Sequence, residues 1–243
     1  MVKVDISDAA SETGALLVEY LKDRGVFDIK AGPTVCYGVN SRRNTEPKLN
    51  ANCMSDKVKR MIAMGKAGVS LVPWFDGHGR LPERIQFPLL ARKLTGHGGT
   101  DIVPVFQPEE VEWRLEAGWD WFSSYVPKAT EYRVWTFRGE VLGTYEKIMK
   151  RPKDFKYIGA NFRNGFEFME CGTIKDTASE AALATKALEL DFSAIDMLRG
   201  KDGKLYILEA NTAPGVIRSS AQKTLGLLAD RITDWVKAGY PEK

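Results

Sequence analysis

Two histidines and three cysteines are all that this 243-residue chain offers to soft or borderline metal ions, and their placement removes several function classes. Cys36, Cys53 and Cys171 are odd in number and far apart, without the paired spacing of a zinc site or a disulfide framework, so they read as reduced thiols. No apolar run approaches the roughly 20 residues that a membrane-spanning helix needs. The opening residues, MVKVDISDAASETG, lack a signal-peptide pattern, so the expected location is cytoplasmic and no membrane partner is expected. A net charge of +3, spread among mixed acids and bases, argues against nucleic acid while suiting a phosphate-binding enzyme. Internal repeats and low-complexity segments are absent. Glycines 96, 98 and 99 lack the lysine and hydroxyl pair of a P-loop and the following helix of a dinucleotide fingerprint. What remains, with 44% hydrophobic and 28% charged residues, is an ordinary globular chain able to bury a substantial core in one domain or in two or three lobes.

The most informative segment is acidic. Residues 190–215 read LDFSAIDMLRGKDGKLYILEANTAPG, with apolar runs at 194–198 and 205–209 around an Asp-Gly hairpin turn signal at 202–203. Side chains two apart on a strand share a face, so Glu209 and Asn211 project together and a facing strand brings Asp196 opposite them. Two carboxylates and an amide oxygen suit a hard cation such as Mg2+, which keeps waters and takes its other ligands from substrate phosphates. Spacing alone also fits solvated acids at the ends of an ordinary hairpin. The turn-rich NTAPG follows, then a helix expected to open on the capping hydroxyls Ser219 and Ser220, where backbone N–H groups would face an anion beside the metal.

Elsewhere the pattern is mixed. Helices are expected over 11–24, from Ser55 (with Asp56 in the first turn) to 65–68, over 108–118 and over 178–189. Strands are expected over 34–40, 88–93, 102–106 and 119–126, with a hairpin over 131–137 and 140–147; 69–75 reads as extended and 152–175 as irregular. Alternation puts Glu131, Arg133 and Trp135 on one face, and Lys147, Lys150 and Arg151 extend its basic side. The glycines at 96, 98 and 99 form either a plain turn or one whose amides approach phosphate oxygens. His97 in that turn is a phosphate donor or a solvated loop residue, and His78 the latter. Trp113, Trp119 and Trp121 are assigned to core or inter-lobe packing. Arg218, with two serines at a helix start, is a candidate holder of an acceptor carboxylate.

The order of these segments resembles the ATP-grasp superfamily, particularly ligases of the ribosomal-protein glutamate ligase type and, more distantly, D-alanine D-alanine ligase. The resemblance covers roughly residues 50–236 and is carried by DK at 56–57, GVSLVP at 68–73, PLLAR at 88–92, EYR at 131–133, and ID at 195–196 with LEANTAPG at 208–215. It implies an α/β (α+β) fold in which two antiparallel-sheet lobes with helices clasp ATP. The chain would divide into a short, truncated N-terminal α/β region at 1–54, a central lobe at 55–127 and a C-terminal lobe with the metal site at 128–243.

The same resemblance implies an ADP-forming, ATP- and Mg-dependent carboxylate-amine ligase working through an acyl phosphate on an amino acid, peptide or protein tail. A kinase, a carboxylate-thiol ligase and a catalytically inactive nucleotide-binding module are the alternatives within the superfamily. Asp196, Glu209 and Asn211 would hold one or two Mg2+ ions, with Mn2+ as a substitute. Lys57 and Arg92 would contact phosphates, with Lys93 as an alternative and His97, Gly98 and Gly99 covering them. Backbone at Ser124, Tyr125 and Val126 would meet the adenine edge, Leu208 its face, and Glu131 the ribose hydroxyls. Arg133 and Lys147 would lie near the phosphates or the acyl phosphate, and Arg133 could stabilise the tetrahedral oxyanion. The partners implied are ATP and small-molecule or peptide carboxylate and amine substrates, with a homo-oligomer left open. Two departures stand out: Arg92 replaces the usual lysine with a planar fork, and only about 50 residues precede the matched region, so substrate identity transfers least well.

Overall fold

A computed structural model of the chain describes residues 1–6, 11–30, 32–39, 48–53, 56–78, 81–94, 101–150, 165–216 and 221–241. Three sheets follow one another along the sequence. Strands β1 (Lys3–Ile6), β2 (Thr34–Tyr37) and β3 (Lys48–Leu49) form a parallel sheet, with helix α1 (Ser11–Asp23) between the first two. After helix α2 (Lys57–Lys66) come β4 (Trp74–Phe75), β5 (Leu89–Arg92), β6 (Ile102–Val105), helix α3 (Glu109–Glu116) and β7 (Trp121–Ser124). These strands build an antiparallel sheet in the order β4-β7-β5-β6. The largest sheet, ordered β10-β9-β8-β11-β12, is also antiparallel. It comprises β8 (Lys128–Phe137), β9 (Glu140–Met149), β10 (Phe166–Glu170), β11 (Phe192–Gly200) and β12 (Leu205–Asn211), with α4 (Lys175–Ala187) before β11 and α5 (Gln222–Lys237) after β12.

Local chemistry explains the long hairpin. Arg138 and Gly139 both take positive φ, 48° and 86°, which is the two-residue turn whose twist matches antiparallel strands. The non-glycine at the strained position is held in place by Arg138 Nε donating to Asp191 Oδ1 at 3.0 Å. The two faces of the large sheet bury different cores. On one, Trp135, Tyr145, Phe192 and Ala194 meet α5 through Leu225, Leu228, Ala229 and Ile232, whose three- and four-residue spacing forms one helical stripe. On the other, Val134, Ile195, Met197 and Ile207 meet α4 through Ala181 and Ala184, small residues that let the helix approach closely, and α2 adds Met61 and Met64.

The N-terminal sheet is fastened to the large one by polar contacts. Asn50 is fully buried with φ at 54° and acts as a four-bond clasp. Its N–H donates to Asp191 Oδ2 at 2.7 Å and its Nδ2 to Phe192 O at 2.8 Å, while its Oδ1 accepts from the N–H groups of Asp191 and Phe192 at 2.7 and 2.9 Å. Tyr37 Oη donates to Pro214 O at 2.7 Å, and Val216 N–H donates to Thr13 Oγ1 at 3.2 Å, so the turn after β12 rests on this sheet.

Several sequence expectations change. Asp56 lies outside the first turn and caps α2, accepting from Lys59 N–H at 3.0 Å; a carboxylate there satisfies an otherwise unpaired helix donor. Strand β2 stops at Tyr37 because Gly38 turns to positive φ, and β7 is shorter than the aromatic run around it. The segment read as irregular over 152–175 contains β10, paired with β9, and α4 begins at Lys175, three residues before the high-propensity run. Helix α5 is capped at Ala221 without a side-chain bond; Ser219 and Ser220 lie outside the described residues. Trp113 is exposed on α3 rather than packed.

Replacing Asn50 by alanine removes the three side-chain bonds of the clasp, keeping only the backbone N–H to Asp191, and leaves buried partners unsatisfied, each at about 1–3 kcal/mol. Asn50→Ala is expected to lower the unfolding free energy by about 3 kcal/mol, measured by urea denaturation, and Asn50→Asp to lose part of the same amount.

Candidate functional site

One face of the large sheet changes character along its strands. On β8, Phe137 and Trp135 lie in the core, and the next residues on that face are Arg133 and Glu131. On β11, Phe192 and Ala194 are followed by Asp196; on β9, Tyr145 is followed by Lys147. The register places Asp196 opposite Arg133 on one side and opposite Glu209 on the other. An ionic patch therefore continues directly from an apolar core, on rigid strands.

Its centre is Asp196, which stands mid-strand rather than at a strand end and is 4% exposed. Arg133 grips it with two bonds, Nε to Oδ1 and Nη2 to Oδ2, both 2.7 Å, and Lys147 Nζ lies 3.2 Å from Oδ1. Lys147 also donates to Glu131 Oε1 at 2.7 Å, and Lys128 to Glu131 Oε2 at 2.9 Å. Burial works against a charged Asp196, but Arg133 and Lys147 outweigh it and hold the carboxyl well below the usual carboxylate range. Burial likewise opposes charge on Lys147, and Asp196 and Glu131 more than restore it. Phe168 of β10 lies under both cations, 4.9 Å from the Arg133 guanidinium and 5.8 Å from Lys147 Nζ. The expectation of an irregular segment there hid this residue.

Asn211 completes the predicted metal set. Its side-chain nitrogen lies 3.2 Å from Asp196 Oδ2 and 3.2 Å from Glu209 Oε1, so the three side chains converge. A flip of that amide presents its oxygen instead, and the group then offers only hard oxygen donors, a set that fits Mg2+. Register shifts between Asp196 and Met197, leaving Leu208 as the extra residue of β12 and breaking the simple alternation assumed from the sequence.

A second group of cations comes from α2 and the four-stranded sheet. Lys57 opens α2, and its Nζ lies 3.5 Å from Lys93 O. Arg92 donates from Nε to Ser123 Oγ at 3.1 Å and lies 5.1 Å over the Trp121 ring. Arg60, which no motif singled out, donates to Ala210 O at 2.7 Å. Burial pulls all three cations below their ordinary values, and in each case Glu209 is the first group to push back. Lys57, Arg60, Arg92, Lys128, Arg133 and Lys147 thus stand against Asp196, Glu131 and Glu209, with Asp101 acting on Lys57 and Asp56 on Arg60 from the edge, so the cations still outnumber the carboxylates. Partly desolvated cations in excess make an anionic ligand favourable.

The remaining candidates divide. Lys93 points its ammonium at Trp119, 5.4 Å from the ring centre, as expected for the residue after Arg92 on a strand, so Arg92 alone joins the ionic group. The N–H groups of Ser124 and Tyr125 already donate to Pro73 O and Pro88 O, both at 2.8 Å. Val126 and Leu208 lie beside the same core as Leu94 and Trp121, where they form an apolar wall. His97, Gly98, Gly99 and Arg218 lie outside the described residues. Among the described residues no helix is long and apolar enough to cross a membrane.

Comparison with known proteins gives consistent matches. A model of the RimK-like ATP-grasp domain matches residues 76–236. A probable alpha-L-glutamate ligase of Haemophilus influenzae (strain PittEE) is 23% identical over 241 residues, covering 94% of this chain and 73% of that protein. A D-alanine--D-alanine ligase of Bacillus anthracis is 26% identical over 148 residues, 57% of this chain and 48% of that one. Among solved structures, the ATP-grasp ligase PsnB complexed with minimal precursor aligns with a TM-score of 0.67 at 13% identity, over 96% of this chain and 98% of its own. The Bacillus anthracis D-alanine--D-alanine ligase complexed with ATP aligns with a TM-score of 0.67 at 16% identity, over 99% and 98%. The structural alignments extend over the first fifty residues as well, whereas the family model begins at residue 76.

Arg133 and Asp196 are 15% and 5% exposed at their side chains, so removing one partner strands a buried charge. Arg133→Met is expected to lower stability by about 3 kcal/mol in urea denaturation, with Arg133→Lys intermediate because an ammonium replaces a two-point grip by one.

Proposed function

The chain belongs to the RimK-like ATP-grasp domain family, and we propose that it is an ATP- and Mg2+-dependent, ADP-forming carboxylate-amine ligase acting on an amino acid, a peptide or a protein tail. The observation that carries this is the convergence of Asp196, Glu209 and Asn211 within a patch that holds more cations than carboxylates. The domain division at 1–54, 55–127 and 128–243 is part of the proposal; each sheet falls within one of its segments.

In this scheme the polyphosphate lies between the four-stranded sheet and the ionic face. Lys57 and the fork of Arg92 take phosphate oxygens, with Trp121 and Ser123 fixing the Arg92 plane. Val126 meets the adenine edge, since the amides of Ser124 and Tyr125 are committed, and Leu208 covers the adenine face. Glu131 would exchange Lys128 for the ribose hydroxyls while keeping Lys147. Asp196, Glu209 and Asn211 would hold Mg2+, which supplies charge neutralisation across the phosphates; Mn2+, with similar oxygen preference, is a substitute.

Phosphoryl transfer asks little covalent chemistry of the protein, so positioned charge does most of the work. A carboxylate oxygen of the acceptor forms a bond to the terminal phosphorus as the bond to ADP breaks, giving an acyl phosphate. The amine nitrogen then adds to the carbonyl, loses a proton, and inorganic phosphate leaves. Arg133 and Lys147 would stabilise the transferring group, and Arg133 the oxyanion, once Arg133 releases part of Asp196, and Arg218 is assigned to the acceptor carboxylate.

Incubation with ATP, Mg2+ and pooled amino acids and peptides is expected to yield ADP, phosphate and a product lighter than its two parents by one water. AMP release would contradict the acyl-phosphate route. Glu209→Gln, at an exposed side chain, is expected to abolish ADP formation with an unchanged urea midpoint; retained turnover would remove Glu209 from the site.

A further inference from the structure

Strand β12 lies at the edge of the large sheet and carries Glu209 and Asn211 near its end. An edge strand leaves alternate backbone groups without a neighbouring strand, and a strand end frays unless something holds it. Among the described residues, Leu71 pairs with Ile207 of this edge in an isolated parallel bridge, and two hydrogen bonds matter here. Ile207 N–H donates to Ser70 O at 2.7 Å, and Ala210 O, in the peptide between the two ligand-bearing residues, accepts from Arg60 Nη1 at 2.7 Å. The first is backbone to backbone. The second is a guanidinium, so it adds charge as well as a bond.

Arg60 reaches this carbonyl from a rigid element. Asp56 caps α2, and Met61 and Met64 bury it in the core shared with Ile207 and Ala210. Arg60 lies one turn from Lys57, so both cations share a face of α2, and the charge of Glu209 acts on each. Neither spacing nor motif in the sequence pointed to Arg60; its partner is 150 positions away.

We infer that Arg60 is a positioning residue for the metal ligands, pinning the Ala210 peptide so that Glu209 and Asn211 keep their common orientation toward Asp196. Its positive charge also offsets repulsion between Glu209 and Asp196. Groups that orient ligands from outside the coordination sphere change metal affinity by about 10- to 100-fold when removed. The inference rests on the nucleotide and metal reading proposed above, and it differs from a direct phosphate contact in which binding suffers more. Loss of a phosphate contact weakens nucleotide binding equally with or without metal; loss of a positioning residue weakens the metal far more than the nucleotide.

The test measures Mn2+ binding to the full chain at saturating ADP by electron paramagnetic resonance, and ADP binding in EDTA by calorimetry. Arg60→Met is expected to weaken Mn2+ by about 10- to 100-fold while ADP affinity in EDTA falls far less, by the loss of one charge from the patch. Arg60→Lys and Arg60→Gln, which keep a donor to Ala210 O, are expected to restore part of the loss, and they carry the test if Arg60→Met does not fold. Unchanged Mn2+ affinity in all three variants overturns the inference, as does a parallel fall in ADP affinity in EDTA. Glu209→Gln separates the two levels. If it abolishes Mn2+ binding while the Arg60 variants leave Mn2+ affinity unchanged, only the role of Arg60 fails. If it too leaves Mn2+ binding unchanged, the metal assignment fails and this inference with it.

Discussion

A carboxylate buried in the middle of an interior strand has to be neutralised, and Asp196 is neutralised by two cations from the same side of its strand, while the strand on the other side sets Glu209 opposite it. Arg133 on β8 and Lys147 on β9 reach it because the antiparallel register sets them on one face, and Glu131 in turn holds Lys147. Breaking any of these contacts leaves a charge in a place with little water. The same contacts keep the patch assembled without a ligand, so the strands that build the core also preorganise the site. Burying ions costs stability compared with apolar packing.

The apolar half of that face explains why the patch is rigid. Trp135, Tyr145, Phe192 and Ala194 pack against α5, and Asn50 and Tyr37 fasten the N-terminal sheet to β11 and to the turn after β12. The N-terminal residues therefore support the site from behind. Opposite, α2 and the four-stranded sheet bring Lys57, Arg60 and Arg92, so that positive charge borders Glu209 from a second direction.

Much of this was legible in the sequence. Period-two alternation placed Glu131 and Arg133 together, and the spacing of Asp196, Glu209 and Asn211 across an Asp-Gly turn anticipated that these three side chains meet, with the Asn211 nitrogen facing the two carboxylates. What escaped has physical reasons. Strand β10 carries a short signal, Asn164-Gly165 before the alternating Phe166, Glu167 and Phe168, but it is only five residues long and sits inside a stretch read as irregular, so Phe168 beneath the two cations was missed. The bulge at Leu208 is set by pairing with β11 and leaves no local mark. Arg60 touches a backbone carbonyl, a partner that every residue possesses, and so carries no recognisable pattern. Lys93 was kept beside Arg92 because charge type was read before strand parity, which turns it toward Trp119.

The account stands on where the metal and nucleotide sit. The most direct measurement is a crystal structure of the chain with Mn2+ and a non-hydrolysable ATP analogue, with the ion located by its anomalous scattering. The expected map has the Mn2+ peak within ligand distance of Asp196, Glu209 and Asn211, with Arg133 withdrawn from at least one Asp196 oxygen. An analogue bound elsewhere, or bound here with Arg133 still closed on Asp196 and no Mn2+ peak between the three side chains, would contradict it.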